Sequence, residues 1–408
     1  MLIRRISILI LCLSFVTLVR AQWTETLTPA FHHLYDIEVV NNDLIFAGGY
    51  GGPLIRSTDG GEQWEEISIP NVSTISSIHF FDATNGWLVA SSSDFGEKDY
   101  LLKTTDGGDT WTAMSNSAEY STMYWLTDQI GHVGTWAGTI LKTEDGGETW
   151  EQIATPVENN IYQIKFIDTE FGYACSTTNK LMYTEDGGAS WTVLPQGGIS
   201  EFFFFDKLNG FVTTHNGRIG KTIDGGLSYT FYDTPYPDYK LRSVFFTNAL
   251  EGYVIGGLDC SNGTCTNKPA LFKTVDGGVS WTEEVDHPFE GQDIGFYGID
   301  VAPNGVPYIA ASDRFILTNG SFTNVNDLNN EQVLKIFPNP SFGKIVVEIP
   351  ERVSEIKAYR LDGTEVFRSE SGFSKTEQID LSHLGKGIFI LTLFNENEKP
   401  YSKRVIIN

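Results

Sequence analysis

Six times between residues 57 and 281 the chain writes the same short phrase: a hydroxyl residue, any residue, Asp-Gly-Gly, two residues, then an aromatic. The copies are STDGGEQW from Ser57, TTDGGDTW from Thr104, TEDGGETW from Thr143, TEDGGASW from Thr184, TIDGGLSY from Thr222 and TVDGGVSW from Thr274. Their aspartates are Asp59, Asp106, Asp145, Asp186, Asp224 and Asp276, separated by 47, 39, 41, 38 and 52 residues. A period near 40 marks an array of repeated supersecondary units, each too small to bury its apolar face alone. That requirement constrains the fold more than any other feature of the chain.

Each phrase reads as a tight turn. Ser, Thr and Asp side chains accept hydrogen bonds from nearby backbone N–H groups, and Gly-Gly supplies positive φ without steric cost. An apolar strand leads into the turn (Leu101-Leu102, Ile140-Leu141, Leu181-Met182, Leu271-Phe272), and the aromatic opens the strand that leaves it. Upstream of the turns lie two further strands joined by a turn with Gly. Examples are Gln163-Ile164-Lys165-Phe166-Ile167 followed by Gly172-Tyr173-Ala174, and Val244-Phe245-Phe246 followed by Gly252-Tyr253-Val254. Four short strands per unit of about 40 residues predict an all-β chain built as a β-propeller.

Seven units are expected. Six end in the phrase; a degenerate seventh runs through Gly298-Ile299-Asp300-Val301, Pro307-Tyr308-Ile309-Ala310 and Phe315-Ile316-Leu317. Trp23-Thr24-Glu25-Thr26-Leu27 reads like the strand that follows a phrase and is a candidate to close the ring on the last unit; residues 322–325 compete for that place.

The phrase resembles the Asp-box, or BNR, repeat of sialidases, sortilin-type receptors, some glycoside hydrolases and the photosystem II assembly factor family. The resemblance implies that the six aspartates are structural, fixing β-hairpins on the rim away from any active site. It does not carry those families' activities with it. Sialidases need an arginine cluster and an Arg-Ile-Pro motif; residues 22–333 hold only Arg56, Arg218, Arg242 and Arg314, and no Arg-Ile-Pro. Xyloglucanase-like hydrolases with these boxes face two propellers across a cleft, and this chain supplies one.

At the start, Arg4 and Arg5 precede an apolar run over residues 6–19 that ends in Val-Arg-Ala, the pattern of a cleavable secretory signal over residues 1–21. The propeller is expected over residues 22–320 and an Asn-rich linker over 321–333. Residues 334–408 predict a small Ig-like β-sandwich. That tail carries Phe337-Pro338-Asn339-Pro340, the segment IKAYRLDGTEV from Ile356, Ile379-Asp380-Leu381-Ser382, GKGIFILTL from Gly385, and a basic-apolar end at Lys403-Arg404-Val405-Ile406-Ile407. In this order the landmarks resemble the type A C-terminal sorting domain of the type IX secretion system. The resemblance implies passage through an outer membrane, recognition by that secretion machinery, and release or attachment at the cell surface.

Charge divides the chain the same way. Residues 22–333 hold 14 Lys and Arg against 42 Asp and Glu, a net of −28, whereas 334–408 hold 11 against 10, a net of +1. So acidic a propeller argues against nucleic acid and anionic lipid as partners. Cys260 and Cys265 flank Ser-Asn-Gly-Thr and form a candidate disulfide in an oxidising compartment. Two cysteines without companion ligands make no metal site, and neither metal nor cofactor is expected. Cys175 reads as a buried thiol.

A functional site belongs on the face opposite the boxes. Tyr50, Trp136, His215, Arg218 and Arg314 fall at the tips joining second and third strands, and Tyr236, Tyr239 and Tyr297 in the loops between units. Enlarged tips over residues 91–100 and 257–269 account for the two long intervals. The expectation is a secreted or surface-displayed monomer that binds a glycan or protein. The competing expectation is a glycan-active hydrolase or lyase with carboxylates in the central funnel.

Overall fold

A computed structural model describes residues 23–319, 335–337, 343–360, 365–385, 387–395 and 400–407, apart from residues 31, 53, 93–98, 115–118, 238, 259–268, 286 and 290–293. The expected signal segment, the Cys260–Cys265 pairing, residues 322–325 and most of both enlarged tips lie outside the described residues.

Seven antiparallel sheets of four strands make up the propeller. Blades 1 to 6 each run in sequence order, from residues 34–67, 72–113, 120–153, 161–197, 199–233 and 239–283. Blade 7 takes its first three strands from Phe296–Val301, Pro307–Ala311 and Phe315–Thr318 and its fourth from Thr24–Leu27 at the other end of the chain. Thr24 faces Thr318 and Leu27 faces Phe315. Trp23 is buried in the apolar cluster of blades 6 and 7, so the ring is closed by joining the first and last strands of the propeller.

The boxes set one face of the disc. In each, the hydroxyl of the first residue donates to the aspartate and accepts from the N–H of the second glycine, as Thr143 does at 2.8 Å to Asp145 and 2.9 Å from Gly147. Asp145 then accepts the backbone N–H of Thr149 at 2.9 Å and its hydroxyl at 2.6 Å. Gly147 sits at φ +87, and a Cβ there would lie 2.6 Å from the Trp87 ring. The first glycine of every box donates its N–H to the turn between the first and second strands of its own blade, as Gly146 does to Gln129 and Gly225 to Leu208. Box and turn therefore share a face, and the tips joining second to third strands share the other. A third-strand cation ties each of several boxes to the preceding blade: Arg56 to Gly107 O at 2.8 Å, Lys103 to Gly146 O at 3.1 Å and Lys221 to Gly277 O at 2.9 Å.

The tail is a small β domain. Long strands Lys344–Arg360 and Glu365–Asp380 pair as a hairpin. Near one end Lys335–Phe337 joins Lys344–Arg360; near the other Gly387–Asn395 joins it on that same edge, with Pro400–Ile407 beyond. Register slips between Ile349 and Val353 let the hairpin bend between the two halves. Both halves bury side chains in one cluster, Ile345, Val347 and Ile379 with Ile356, Phe389, Leu391 and Val405.

Candidate functional site on the face opposite the boxes

The innermost strand of each blade lies against its neighbours around the axis. It is an edge strand, with N–H and C=O groups that its own sheet leaves unpaired. All seven carry a bulge at the same place, near the strand's start on the face opposite the boxes. The bulged residues are Tyr35, Ser76, Ser121, Tyr162, Ser200, Arg242 and Tyr297.

In the middle blades that residue staples one blade to the next. Ser121 donates to Ile161 O, Tyr162 to Ser200 O at 2.6 Å and Ser200 to Leu241 O at 3.0 Å. In blades 6, 7 and 1 the equivalent residues turn to one another instead. The Arg242 guanidinium lies 4.8 Å over the Tyr297 ring, and Tyr297 meets Tyr35 edge-on at 5.4 Å. Burial, helped by Tyr297 and Tyr50, raises the Tyr35 phenol, so it stays protonated. His33 lies 6.2 Å from Tyr297, and its Nδ1 accepts the backbone N–H of Asp313 at 3.2 Å. Asp313 and Arg314 stand at φ +54 and +65, a conformation non-glycine residues hold only when their surroundings enforce it. Thr28 fixes that loop by donating both its N–H and hydroxyl to Arg314 O. The mouth of the channel is thus an aromatic and cationic cluster on a strained rim.

One layer deeper the lining is acidic. Asp36 accepts the N–H of Ile37 at 3.0 Å and of Ile78, in the next blade, at 2.8 Å. Asp300 does the same for Val301 and Val39, both at 2.8 Å. Glu38 reaches Phe80 N and lies 3.3 Å from His79 Nδ1. Burial pushes Asp36 up to about 7 despite its two N–H donors, and Asp300 is raised for the same reason. Glu201 is raised to about 8 by burial, with Lys165 opposing and Asp36 adding to the shift. These groups were overlooked in the sequence, although the polar positions within apolar first strands (Asp36, Glu38, Gln163, Lys165, Glu201, Asp300) carried the signal. Among the described residues no cluster of three or more His, Cys, Asp or Glu is arranged to hold a metal ion.

A second feature lies beside the mouth. The tips of blades 4 and 5 and the loop between them enclose a cleft of about 350 Å³. It is lined by Asn179, Gln196, Gly197, Thr214, His215, Asn216, Arg218 and Phe231 among others. His215 Nε2 meets Asn179 Oδ1 at 2.6 Å, joining the two tips. Burial, with Lys240 and Arg242 nearby, lowers the His215 pKa, so the ring is neutral at neutral pH. Arg218 stacks 4.0 Å over Phe231 and pairs through Nε with Asp233 at 2.6 Å.

The sequence-derived candidates therefore separate. His215 and Arg218 share the cleft, and Tyr297 centres the mouth with Arg314 on its rim. Tyr50 is exposed at the blade 1 tip with its ring 5.4 Å from His32. Trp136 is exposed at the blade 3 tip, its Nε1 donating to Tyr120 O at 2.9 Å. Tyr236 and Tyr239 stack at 4.4 Å, but Tyr239 is buried in the core of blade 6 and Tyr236 donates to Glu283, so this pair packs the loop. Arg242, Tyr35, Asn179 and Phe231 join the site without having been singled out. Cys175 is buried, and burial pushes its thiol up to about 12, so it is unreactive.

The fold and this face define a seven-bladed propeller carrying a C-terminal β domain. Residues 335–408 match the family model of the secretion system C-terminal sorting domain, which marks the chain for type IX export to the cell surface or beyond. Residues 62–155 and 147–201 match the model of the photosynthesis system II assembly factor YCF48. No curated protein sequence matches the chain. Among solved structures, YCF48 bound to a D1 peptide aligns over 73% of this chain and 94% of its own at a TM-score of 0.60 and 18% identity. The Niastella koreensis GH74 enzyme aligns over 95% of this chain and 74% of its own, at 0.58 and 15%. A streptogramin B lyase aligns over 73% and 98%, at 0.56 and 12%. At these identities the likeness is one of fold.

Proposed function

We propose that the protein is an exported binding module that takes a glycan or protein ligand on the face opposite its boxes, centred on the mouth formed by Arg242, Tyr297 and Tyr35. One observation carries the reading. In a propeller of net charge −28, Lys180, Arg218, Lys240, Arg242 and Arg314 all stand at strand starts or tips of this one face, and the Arg218 and Arg242 guanidinium groups lie over the Phe231 and Tyr297 rings. On the other face the third-strand cations Arg56, Lys103 and Lys221 tie boxes to the preceding blades, and Lys142 and Lys273 pair with Glu144 and Glu251. Aromatic rings beside cations grip sugar faces or peptide side chains, and the cations draw anionic groups to an otherwise repelling disc. The solved YCF48 complex with a peptide, at 18% identity, is compatible with a protein ligand.

The second reading, a glycan-active enzyme, is favoured by one specific observation: Asp36, Asp300 and Glu201 are carboxyls whose burial raises them into the neutral range, to about 7, 7 and 8. Perturbed acids concentrate at catalytic sites, but also wherever a carboxyl is used structurally. Asp36 and Asp300 use both oxygens on backbone N–H groups of the ring, which favours the structural role. A panel of glycans screened for binding and for turnover separates the readings. Binding without turnover is expected; turnover abolished by Glu201→Gln would replace the binding reading with the enzymatic one. Removing residues 335–408 is expected to leave a folded propeller in the periplasm, and normal surface delivery of that truncation would overturn the export reading.

A further inference from the structure

We infer that the cleft between blades 4 and 5 is a subsite for a uronic acid residue, its carboxylate held by Arg218 and its hydroxyls by the surrounding amides. The inference rests on the binding reading above and names the chemistry of one part of that face.

The lining is unusual for this molecule. Residues 22–333 contain 42 Asp and Glu, yet none of the residues lining the cleft is acidic. One cation, Arg218, stands among neutral polar groups: the amides of Asn179, Gln196 and Asn216, the Thr214 hydroxyl and the neutral His215 ring. Asn216 Oδ1 already accepts from Thr214 Oγ1, and Asn179 Oδ1 meets His215. Their acceptor ends are thus fixed and their amide N–H groups remain as donors, the arrangement that suits sugar hydroxyls. The Arg218 guanidinium lies 4.0 Å over the Phe231 ring and is hydrogen-bonded through Nε to Asp233. Its Nη groups have no partner among the described residues, leaving N–H donors for an incoming carboxylate. Gly197 and Gly198 keep the wall low; a Cβ on Gly198 would meet nothing within 4 Å.

Size and charge narrow the ligand. A cleft of about 350 Å³ is at the small end of ligand pockets, which run from roughly 300 to 1,000 Å³. It suits one sugar ring rather than a folded peptide. A phosphate or sulfate ester would call for more than one cation in the lining itself, where Arg218 stands alone, Lys240 and Arg242 lying near His215 but outside the lining. One positive fork among hydroxyl-binding amides matches one carboxylate on a polyhydroxylated ring.

The test uses the full chain and short uronate oligomers (galacturonate, glucuronate, mannuronate and guluronate trimers), because the acidic disc repels long polyanions. Each is titrated calorimetrically beside its methyl ester, which keeps the ring and removes the charge. At least one trimer is expected to bind, with its ester weaker on the order of tenfold, as losing one charge-assisted contact implies. Arg218→Gln should lose that preference for acid over ester, while Asn216→Ala should weaken both alike; unchanged melting temperatures show that neither variant has lost its fold. Equal binding of acid and ester, silence toward all the trimers, or full acid preference in Arg218→Gln would each overturn the subsite. Capture of neutral glycans or a peptide, abolished by Tyr297→Ala and indifferent to Arg218→Gln, would overturn it too while leaving the binding face in place.

Discussion

Two sets of carboxylates, one on each side of a blade's length, show how position decides what an acid does in this protein. On the rim, Asp106 and Asp145 are held down at about 2, first by the hydroxyls of Thr110 and Thr149 and then by backbone N–H groups. Along the axis, Asp36 and Glu201 are raised to about 7 and 8 by burial. Asp145 on the rim and Asp36 on the axis both accept hydrogen bonds from backbone N–H groups. The difference is water: the rim acids keep theirs, so every donor favours the anion, while the axial acids are half-buried, and at Asp36 desolvation outweighs two N–H donors. The lesson is that an abundant, repeated and conspicuous aspartate can be the structural one, and a solitary acid within an apolar strand the perturbed one.

The comparison can be broken most forcibly at the box backbone. Gly147→Ala puts a Cβ 2.6 Å from the Trp87 ring at φ +87, with an expected cost on the order of 3 kcal/mol by chemical denaturation. A loss below a few tenths would show that the box does not fix its blade. Next comes the buried box hydroxyl. Thr184 donates to Asp186 and accepts from Gly188 N, and Thr184→Val should cost about 1–3 kcal/mol by leaving those groups unpaired, with binding on the opposite face unchanged.

The axial set predicts the opposite sign. Asp36, Asp300 and Glu201 have folded pKa values raised above their unfolded ones. Their contribution is therefore fully present below the unfolded carboxyl range and is lost as pH rises through about 7 and 8. The rim acids, being lowered, contribute above the unfolded range and lose that contribution as pH falls toward about 2. Melting temperature should decline as pH rises from about 4, the unfolded carboxyl value, to about 8. Glu201→Gln should flatten that decline by up to about 1.4 kcal/mol per pH unit, one proton's worth, raising stability at about pH 8 relative to wild type and leaving it unchanged below about pH 4. An identical pH profile in wild type and variant would mean that Glu201 titrates normally. The smallest effect belongs to the ties between boxes: Lys103→Ala, which removes a bond to Gly146 O, should cost about 1 kcal/mol or less.

Much of this architecture was legible in the sequence because turn chemistry is local. Asp-Gly-Gly declares its own positive φ, and six copies at near-constant spacing declare the blades, including a seventh recognised by its strands alone. Closure by Thr24–Leu27 was legible as one of two options, and the paired strand settles it. The tail's landmarks lay in one continuous stretch. The site was legible only in part, since it is assembled from residues on different blades. Tyr297 and Arg218 stood out by type, yet nothing local says that Arg242, 55 positions before Tyr297 in chain order, covers its ring. The bulge that turns Tyr35, Arg242 and Tyr297 toward one another recurs in all seven blades, but only comparison across blades separates these from the stapling Ser121, Tyr162 and Ser200. Burial of Tyr239 depends on how its loop folds back over blade 6, which no periodicity encodes.

The claim on which the rest depends is that ligand is taken on the face away from the boxes. It is tested most directly by presenting the full chain and four variants to one array of glycans and peptides, with melting temperatures measured in parallel. Arg242→Ala and Tyr297→Ala should lose the signal at nearly unchanged stability, whereas Thr184→Val and Lys103→Ala should keep it while still folded. Signal lost with the box-face variants and kept by the mouth variants would contradict the account.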